Sequence, residues 1–497
     1  MNFILLISIF VIATCGLIYE LVAGTLASYL LGDSITQFST IIGAYLFSMG
    51  IGSFLSKYFH KDLITWFIKI EILIGLVGGS SSTILFMVFE HVESFRIILY
   101  LLVMITGTLV GLEIPILMRI CHEKSDFKEM VADVFTFDYI GALIASVLFP
   151  LCLVPFLGLI KTSFLFGIFN VAVALLLCYY KQIEIPQRAI HKVYGYTAIV
   201  FLVLGFVWSD SLMTLAESTA YADKIIFAKS SPYQRIVLTR NSKDVRLYLN
   251  NNLQFSSTDE YRYHEALVHP AMQACASPQN ILILGGGDGL AAREVLKYES
   301  VQSITLVDLD AEITKLFSYH PMLVSLNQHS LTSPKIKVIN ADAFEWLKNN
   351  SQIFDCIIID FPDPSNFSIG KLYSQSFYKV LHKKLTETGI AVIQSTSPMV
   401  AKQTYWCINN TLISVGFQTL PYHCFVPSFG DWGYFIVSKK QFEPATTYKK
   451  ELKFIDDPTF RQMCVFPKDM RPKQTEINKL NNQILVHYFE HEWSGIH

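Results

Sequence analysis

Residues 281–310 read ILILGGGDGLAAREVLKYESVQSITLVDLD, and no other stretch narrows the folding choices of this 497-residue chain as far. The apolar run 281–284 meets a cluster of glycines, Gly285, Gly286, Gly287 and Gly289. A helix-like segment follows, then a second apolar run that ends in Asp308. The order is strand, tight turn, helix, strand, acid. Such a unit brings a ligand close to the backbone at the glycines, and an acid roughly 20 residues on can hold the two hydroxyls of a ribose. Asp288 sets this turn apart from a phosphate-binding one, because a helix N-terminus is built to receive an anion and a carboxylate there repels it. The turn predicts a nucleoside ligand with a cationic tail rather than a dinucleotide.

Hydrophobic residues make up 52% of the chain and are unevenly spread. Residues 1–215 hold apolar runs of about 20 residues, each long enough to cross a bilayer core. Seven segments qualify: about 3–25, 36–56, 64–89, 96–118, 134–156, 160–180 and 194–214. No basic stretch precedes the first, so it reads as a retained helix rather than a cleaved signal peptide. Lys57, Lys61, Arg119, Lys124, Lys128, Lys181, Arg188 and Lys192 fall in the loops after spans two, four and six, against only Arg96 and Lys161 in the odd loops. That bias puts the even loops and the N-terminus in the cytoplasm. Six or eight crossings leave everything after about 215 there too, whereas seven place it outside. The seventh segment is the weakest, being strongly apolar only over 198–208 with Lys192, Lys224 and Lys229 around it. Small residues recur four apart (Gly75 and Gly79, Gly107 and Gly111, Gly141 and Ala145), which suits close helix packing. The acids Glu20, Glu71, Glu113 and Asp138 lie in or at the ends of spans; they pair with groups such as Lys69, Tyr19 and Thr136, or else line a cation site.

The other half reads as soluble. Residues 215–224 form a short polar linker, and two alternating runs within 225–256 flank the turn signal 241–244, with a third short strand after the asparagines 250–252. This is a small antiparallel lid, residues 225–258. From 259 to 440 the pattern is Rossmann-like α/β, with strands at 281–284, 303–307, 336–340, 356–360 and 390–394. In an open parallel sheet, ligands bind at the carboxyl ends of the strands, so Asp288, Asp308, Asp342 and Asp360 should converge on one cleft. Asp360 and Asp363 flank Phe361–Pro362, and prolines 362 and 364 stiffen the turn; paired carboxylates there can bind a polyamine or take a proton from an ammonium. Residues 441–497 form a charged, partly helical extension of unassigned role. The nine cysteines show no CxxC pair or Cys/His ligand spacing, so neither zinc nor a disulfide framework is expected, and a reducing compartment is favoured. A net charge of −2 with no basic stripe argues against nucleic acid as a partner.

Taken in order, SPYQRIVL (231–238), LQFSSTDEYRYHEALVHP (253–270), GGGDG (285–289), the acid of VDLD (307–310), NADAFEWL (340–347), DFPDP (360–364) and LYSQSFY (372–378) resemble the aminopropyltransferase family, whose typical member is spermidine synthase. LIYELVAG (17–24) and GLEIPILMR (111–119) resemble its membrane-anchored bacterial branch. The resemblance implies a bacterial inner-membrane protein with a cytoplasmic catalytic domain, acting as a homo-oligomer. It implies transfer of the aminopropyl group of decarboxylated S-adenosylmethionine, a co-substrate rather than a bound cofactor, to putrescine, giving spermidine and methylthioadenosine, with no metal. Gln234 and Asp308 would hold the donor's nucleoside and ribose, and Asp342 and Ala343 its adenine. His264 and Asp288 would bind the polyamine or aminopropyl side. Asp360 would accept the proton, with Asp363 and Tyr373 positioning the amine. The chain departs from the family at Asn250–Asn252, where an Asp–Gly pair is usual, at Leu290, and at DFPDP, where Phe361 is expected to reshape the amine pocket.

The residues agree with that chemistry. Asp288 can pair with the donor's primary ammonium and would repel the carboxylate of ordinary S-adenosylmethionine. Two other readings share the sequence: an S-adenosylmethionine methyltransferase, disfavoured by Asp288 and the acids at 360 and 363, and a polyamine sensor or transporter with a non-catalytic synthase-like domain.

Overall fold

The computed structural model describes residues 3–31, 34–89, 95–122, 127–180, 184–444, 447–448 and 451–493. They form two compact units, Met1–Ile225 and Ile226–His497.

The first unit is helical: α1 (Phe3–Leu31), α2 (Ser34–Leu55), α3 (Leu63–Phe89), α4 (Phe95–His122), α5 (Phe127–Leu148), α6 (Val154–Tyr179) and α7 (Arg188–Ala220). Each overlaps one of the seven expected segments, although the segment 134–156 runs through the end of α5 and the turn after it into the start of α6. Lys124 and Lys181 of the charge-bias argument lie outside the described residues. Among the described residues, six helical stretches are long and apolar enough to cross a membrane; one of them, Lys128–Tyr179, spans 52 residues because α5 and α6 follow one another through the π-helical turn Phe149–Leu153. The small residues sit where helices cross closely. A Cβ on Gly75 would stand 2.7 Å from the Gly167 carbonyl oxygen, and one on Gly141 2.6 Å from that of Phe10. Residues 215–220, expected as linker, instead continue α7. They contain no Gly or Pro, and Leu, Ala and Glu are strong helix formers, so nothing stops the helix there. The Glu71 carboxylate accepts from Asn170 Nδ2 at 2.7 Å, and Tyr19 donates to Asn170 Oδ1 at 2.9 Å. Lys69 stands instead over the Trp66 ring, and Thr136 bonds back to Ala132 of its own helix.

The second unit begins with a four-stranded sheet, β1 (Lys224–Ser230), β2 (Arg235–Arg240), β3 (Val245–Leu249) and β4 (Asn252–Ser256), in that spatial order. The Asn241 side chain accepts the backbone N–H groups of Lys243 and Asp244, which closes the β2–β3 turn. Asn250 and Asn251 both take left-handed backbone (φ 49° and 64°) at the β3–β4 turn. Asparagine tolerates this conformation better than other non-glycine residues, so the turn keeps the hairpin geometry that Asp–Gly would give.

After α8 (Glu260–Ala274) come β5 (Asn280–Gly285), α9 (Leu290–Val295), β6 (Ser303–Asp308), α10 (Ala311–Tyr319), α11 (Pro321–Leu326), β7 (Ile336–Asn340), α12 (Ala343–Asn349), β8 (Phe354–Asp360), α13 (Phe367–Gly370), α14 (Gln375–Lys384), β9 (Leu385–Ser395), α15 (Lys402–Ile413), β10 (Gln418–Val426) and β11 (Gly430–Ser438). The sheet order is β10-β11-β9-β8-β5-β6-β7. All five expected strands are present. The sheet is mixed, not all parallel, because β10 and β11 add an antiparallel pair at one edge. Strand β5 is buried on both faces: Ile281 and Ile283 join one core, Leu282 and Leu284 the other. That explains the unbroken apolar run, since a strand covered on both sides has no polar face to alternate with. Chain order reverses between β5 and β8, the point in an open α/β sheet where ligands bind at the carboxyl ends of the strands. The extension ends in α16 (Asp457–Met463) and α17 (Ile484–Trp493), both packed on this unit.

Candidate active site

Three acids meet at the reversal point. In the parallel register Gly285 of β5 stands opposite Asp360 of β8, and Asp308 closes β6 on the other side of β5. The glycine turn makes this possible. Gly285, Gly286 and Gly289 hold φ of 82°, 63° and 75°, which glycine adopts without strain. A Cβ on Gly285 would collide with the Asp360 carbonyl oxygen, and one on Gly287 would lie 2.7 Å from the Asp308 carboxylate. Gly287 N–H donates to Asp308 Oδ2 at 3.0 Å, and Asp310 N–H to Asp308 Oδ1 at 2.9 Å. Burial nevertheless pushes the Asp308 carboxyl up to about 6. Asp288 accepts from Leu290 N–H at 2.9 Å at the start of α9, and its backbone carbonyl accepts from Asn327 Nδ2 at 3.0 Å. Burial raises its pKa, offset partly by the positive charge of His264.

Asp360 Oδ1 accepts from the Tyr263 hydroxyl at 2.6 Å. Burial lifts the Asp360 carboxyl to about 6; His264 and the Tyr263 hydrogen bond pull it down, while Asp288 pushes it up. His264, next on α8, is buried, with Nδ1 at 2.8 Å from both the backbone carbonyl and the Oε2 of Glu260. Both partners are acceptors, so Nδ1 carries the hydrogen. Glu260 also receives both terminal nitrogens of Arg293, at 2.8 and 2.9 Å. Burial opposes protonation of His264, but Glu260, Asp288 and Asp360 outweigh it and raise the imidazole to about 9. The cleft thus holds one imidazolium among several carboxylates, and its balance attracts cations.

Asp363 accepts from Gln394 Nε2 at 3.3 Å and Thr396 Oγ1 at 3.1 Å, and burial raises it to about 6. Tyr373 is fully buried, with its hydroxyl 3.0 Å from the Pro362 carbonyl and 3.0 Å from Gln394 Oε1, so it acts on the 361–363 turn. Phe361, expected to shape the amine pocket, sits beside the glycine turn, with its Cδ1 3.4 Å from where a Cβ on Gly285 would stand. It is 5% exposed and packs into the core against Tyr373 and Phe377, because a side chain alternates with the strand and this one falls on the covered face.

Gln234, in the β1–β2 turn, donates from Nε2 to Asp310 Oδ2 at 2.8 Å. Ser231 shares that oxygen at 2.6 Å. The Gln234 amide thus turns its nitrogen to Asp310, which leaves its Oε1 outside that contact. Asp342 lies past β7, the strand beyond β6, and its carboxylate is engaged locally. It caps α12 through Phe344 and Glu345 N–H and pairs with Lys371 at 2.6 Å. Burial acts against its charge, but Lys371 and those N–H groups hold it below the ordinary carboxylate value. Ala343 is the first residue of α12 and is buried.

Asp288, Asp308, Asp360 and His264 therefore come together, Asp363 and Tyr373 brace the turn that follows Asp360, and Gln234 is tied to the β6 end through Asp310. Sequence reasoning missed Asp310, Glu260, Lys371, Gln394 and the role of Tyr263. Asp310 and Tyr263 lie within the motifs, two residues from Asp308 and one from His264. Gln394 and Lys371 carried no signal, because their roles depend on a side-chain approach across the fold.

A family model described as the spermine/spermidine synthase domain matches residues 260–450. The chain is 51% identical over 492 residues to the polyamine aminopropyltransferase of Leptospira interrogans serogroup Icterohaemorrhagiae serovar copenhageni, covering 99% of each chain. It is also 51% identical to polyamine aminopropyltransferase 2 of Ralstonia nicotianae, covering 100% of this chain and 99% of that one. Among solved structures it is similar to spermidine synthase from Thermotoga maritima, at 27% identity and TM-score 0.46, over 50% of this chain and 87% of that one.

Proposed function

The chain belongs to the polyamine aminopropyltransferase family and is a transferase of that kind; from its site we propose that it moves the aminopropyl group of decarboxylated S-adenosylmethionine to putrescine, yielding spermidine and methylthioadenosine. The observation that carries this reading is the junction of Asp288, Asp308 and Asp360 at the carboxyl ends of β5, β6 and β8, beside the left-handed glycine turn.

Asp308, with Gly287 N–H beside it, holds the ribose hydroxyls. Gln234 Oε1 and the α12 N-terminus at Asp342 and Ala343 bound the nucleoside. Asp288 receives the donor's ammonium. His264 and Asp363 line the acceptor's path, and Tyr373 keeps Asp363 in register. The acceptor arrives as an ammonium and cannot attack. With its pKa near 6, Asp360 is ionised at neutral pH and basic enough to take a proton. The freed nitrogen lone pair attacks the aminopropyl carbon in line; the new C–N bond forms as the C–S bond breaks, and its electron pair returns to sulfur as a neutral thioether. The protein contributes orientation and proton removal, while the sulfonium supplies the leaving group. An assay of amine-dependent methylthioadenosine release tests this directly.

The helical unit spans a membrane in this reading. Leu46, Phe47, Ile97, Leu101, Leu143, Phe156, Val200 and Trp208 are exposed on it, as lipid-facing residues would be. We place the catalytic unit in the cytoplasm with its substrates. With a cytoplasmic N-terminus this requires an even number of crossings, so one of the seven helices does not cross fully. Reporter fusions after residues 60, 122, 186 and 497 test this, and a periplasmic C-terminal signal would contradict it.

A further inference from the structure

The matched family domain ends at residue 450, but the chain beyond it packs against the elements that carry the site. Glu265 of α8 accepts the N–H groups of Lys453, Phe454 and Ile455 at 2.9, 2.8 and 3.2 Å. Trp406 donates to the Met470 carbonyl at 2.9 Å, and Glu492 of α17 caps α15 through Gln403 and Thr404 N–H. Between these anchors lies Asn478, fully buried. Its Nδ2 donates to the Gly370 carbonyl at 3.1 Å, and its backbone carbonyl accepts Gln375 N–H at 2.8 Å. Its own N–H donates to Thr411 Oγ1 at 3.0 Å, which fixes it to α15. Val486 closes over the same spot, where a Cβ on Gly370 would stand 2.5 Å from Val486 Cγ2.

The two residues held this way, Gly370 and Gln375, bracket Lys371 and Tyr373. Lys371 reaches Asp342 at the donor side; Tyr373 braces the turn that carries Asp363. We propose that the segment 451–493 supports the catalytic site from behind and that Asn478 is a positioning residue, setting the 370–375 loop so that Lys371 reaches Asp342 on the donor side and Tyr373 braces the turn that carries Asp363. It rests on the aminopropyl-transfer reading for the identity of the donor and the amine. An amide is needed because it donates to Gly370 while its Oδ1 accepts Leu485 N–H at 3.4 Å. Aspartate, nearly the same shape, cannot donate.

The test uses full-length enzyme carrying Asn478→Ala, Asn478→Asp or Thr411→Ala, the last loosening Asn478 without touching the loop. The readouts are the Kd for methylthioadenosine, which needs no turnover, and KM and kcat. Both Asn478 variants should weaken methylthioadenosine binding and raise donor KM about tenfold, as loss of one buried hydrogen bond does, with kcat at saturation within about threefold. Thr411→Ala should shift them in the same direction. In a double-mutant cycle, Asn478→Ala should add little to Lys371→Met, because both act on one element. A lower melting temperature with unchanged Kd and KM would make Asn478 merely structural and overturn the proposal, as would strictly additive effects of the two changes. Absence of turnover in the wild type would instead refute the catalytic reading and leave the Kd comparison intact.

Discussion

Gly285 and Asp360 face each other across the β5–β8 pairing so closely that a methyl group on the glycine would collide with the aspartate's carbonyl oxygen. The strand that carries Asp360, the proposed proton acceptor, is therefore packed against the glycine turn proposed to hold the donor. Gly285→Ala must relieve both this collision and a φ of 82°. It should destabilise the catalytic unit by about 2 kcal/mol or more and abolish transfer. Thermal unfolding and the transfer assay check this.

Asp360→Asn removes the proposed proton acceptor at almost constant volume, and the amide oxygen can still accept from Tyr263. Turnover should fall about 10²- to 10⁴-fold while methylthioadenosine binding is retained. The same variant has a signature in stability. The folded carboxyl titrates near 6 against an ordinary value of 3.8, so it favours the fold below about pH 4, and that contribution is lost as pH rises through 6. Asp360→Asn should accordingly unfold at higher temperature than wild type at pH 8, by roughly 5 °C, and at the same temperature at pH 4. An unchanged melting point at pH 8 would contradict the assignment of a desolvated, ionised Asp360.

Activity should rise with pH through a limb near 6, as Asp360 loses its proton. The Tyr263 hydrogen bond stabilises the ionised form, so Tyr263→Phe should move that limb to higher pH. A kcat/KM profile of both proteins from pH 5 to 9 decides it; a limb that stays in place would remove Tyr263 from the ionisation of Asp360.

Asp288→Asn should relax discrimination between the decarboxylated donor and ordinary S-adenosylmethionine, because the carboxylate that repels the latter is gone. The expected effect is about tenfold or more in relative affinity. Competition binding measures it, and unchanged selectivity would refute the charge argument.

Much of the fold was legible because its signals are local. The unbroken apolar run before the glycines marked a doubly covered strand, and seven apolar segments marked seven helices. The antiparallel pair β10–β11 was not legible: 418–438 mixes polar, aromatic and turn residues, and its strand character comes from pairing with β9. The site divides the same way. Asp288, Asp308 and Asp360 could be read because strand ends announce themselves. The burial of Phe361 against Tyr373 and Phe377 was not legible, because the helix that covers it lies further along the chain. Lys371, Gln394 and Asn478 act through contacts 29, 31 and 108 residues away along the chain, which no local pattern encodes.

The most direct test is to incubate the purified, detergent-solubilised protein with decarboxylated S-adenosylmethionine and putrescine, cadaverine or spermidine, following methylthioadenosine and the amine products by mass spectrometry. The structure predicts methylthioadenosine release only when amine is present, with spermidine formed from putrescine, and near-complete loss of both in Asp360→Asn. Donor binding without product from any amine would contradict it.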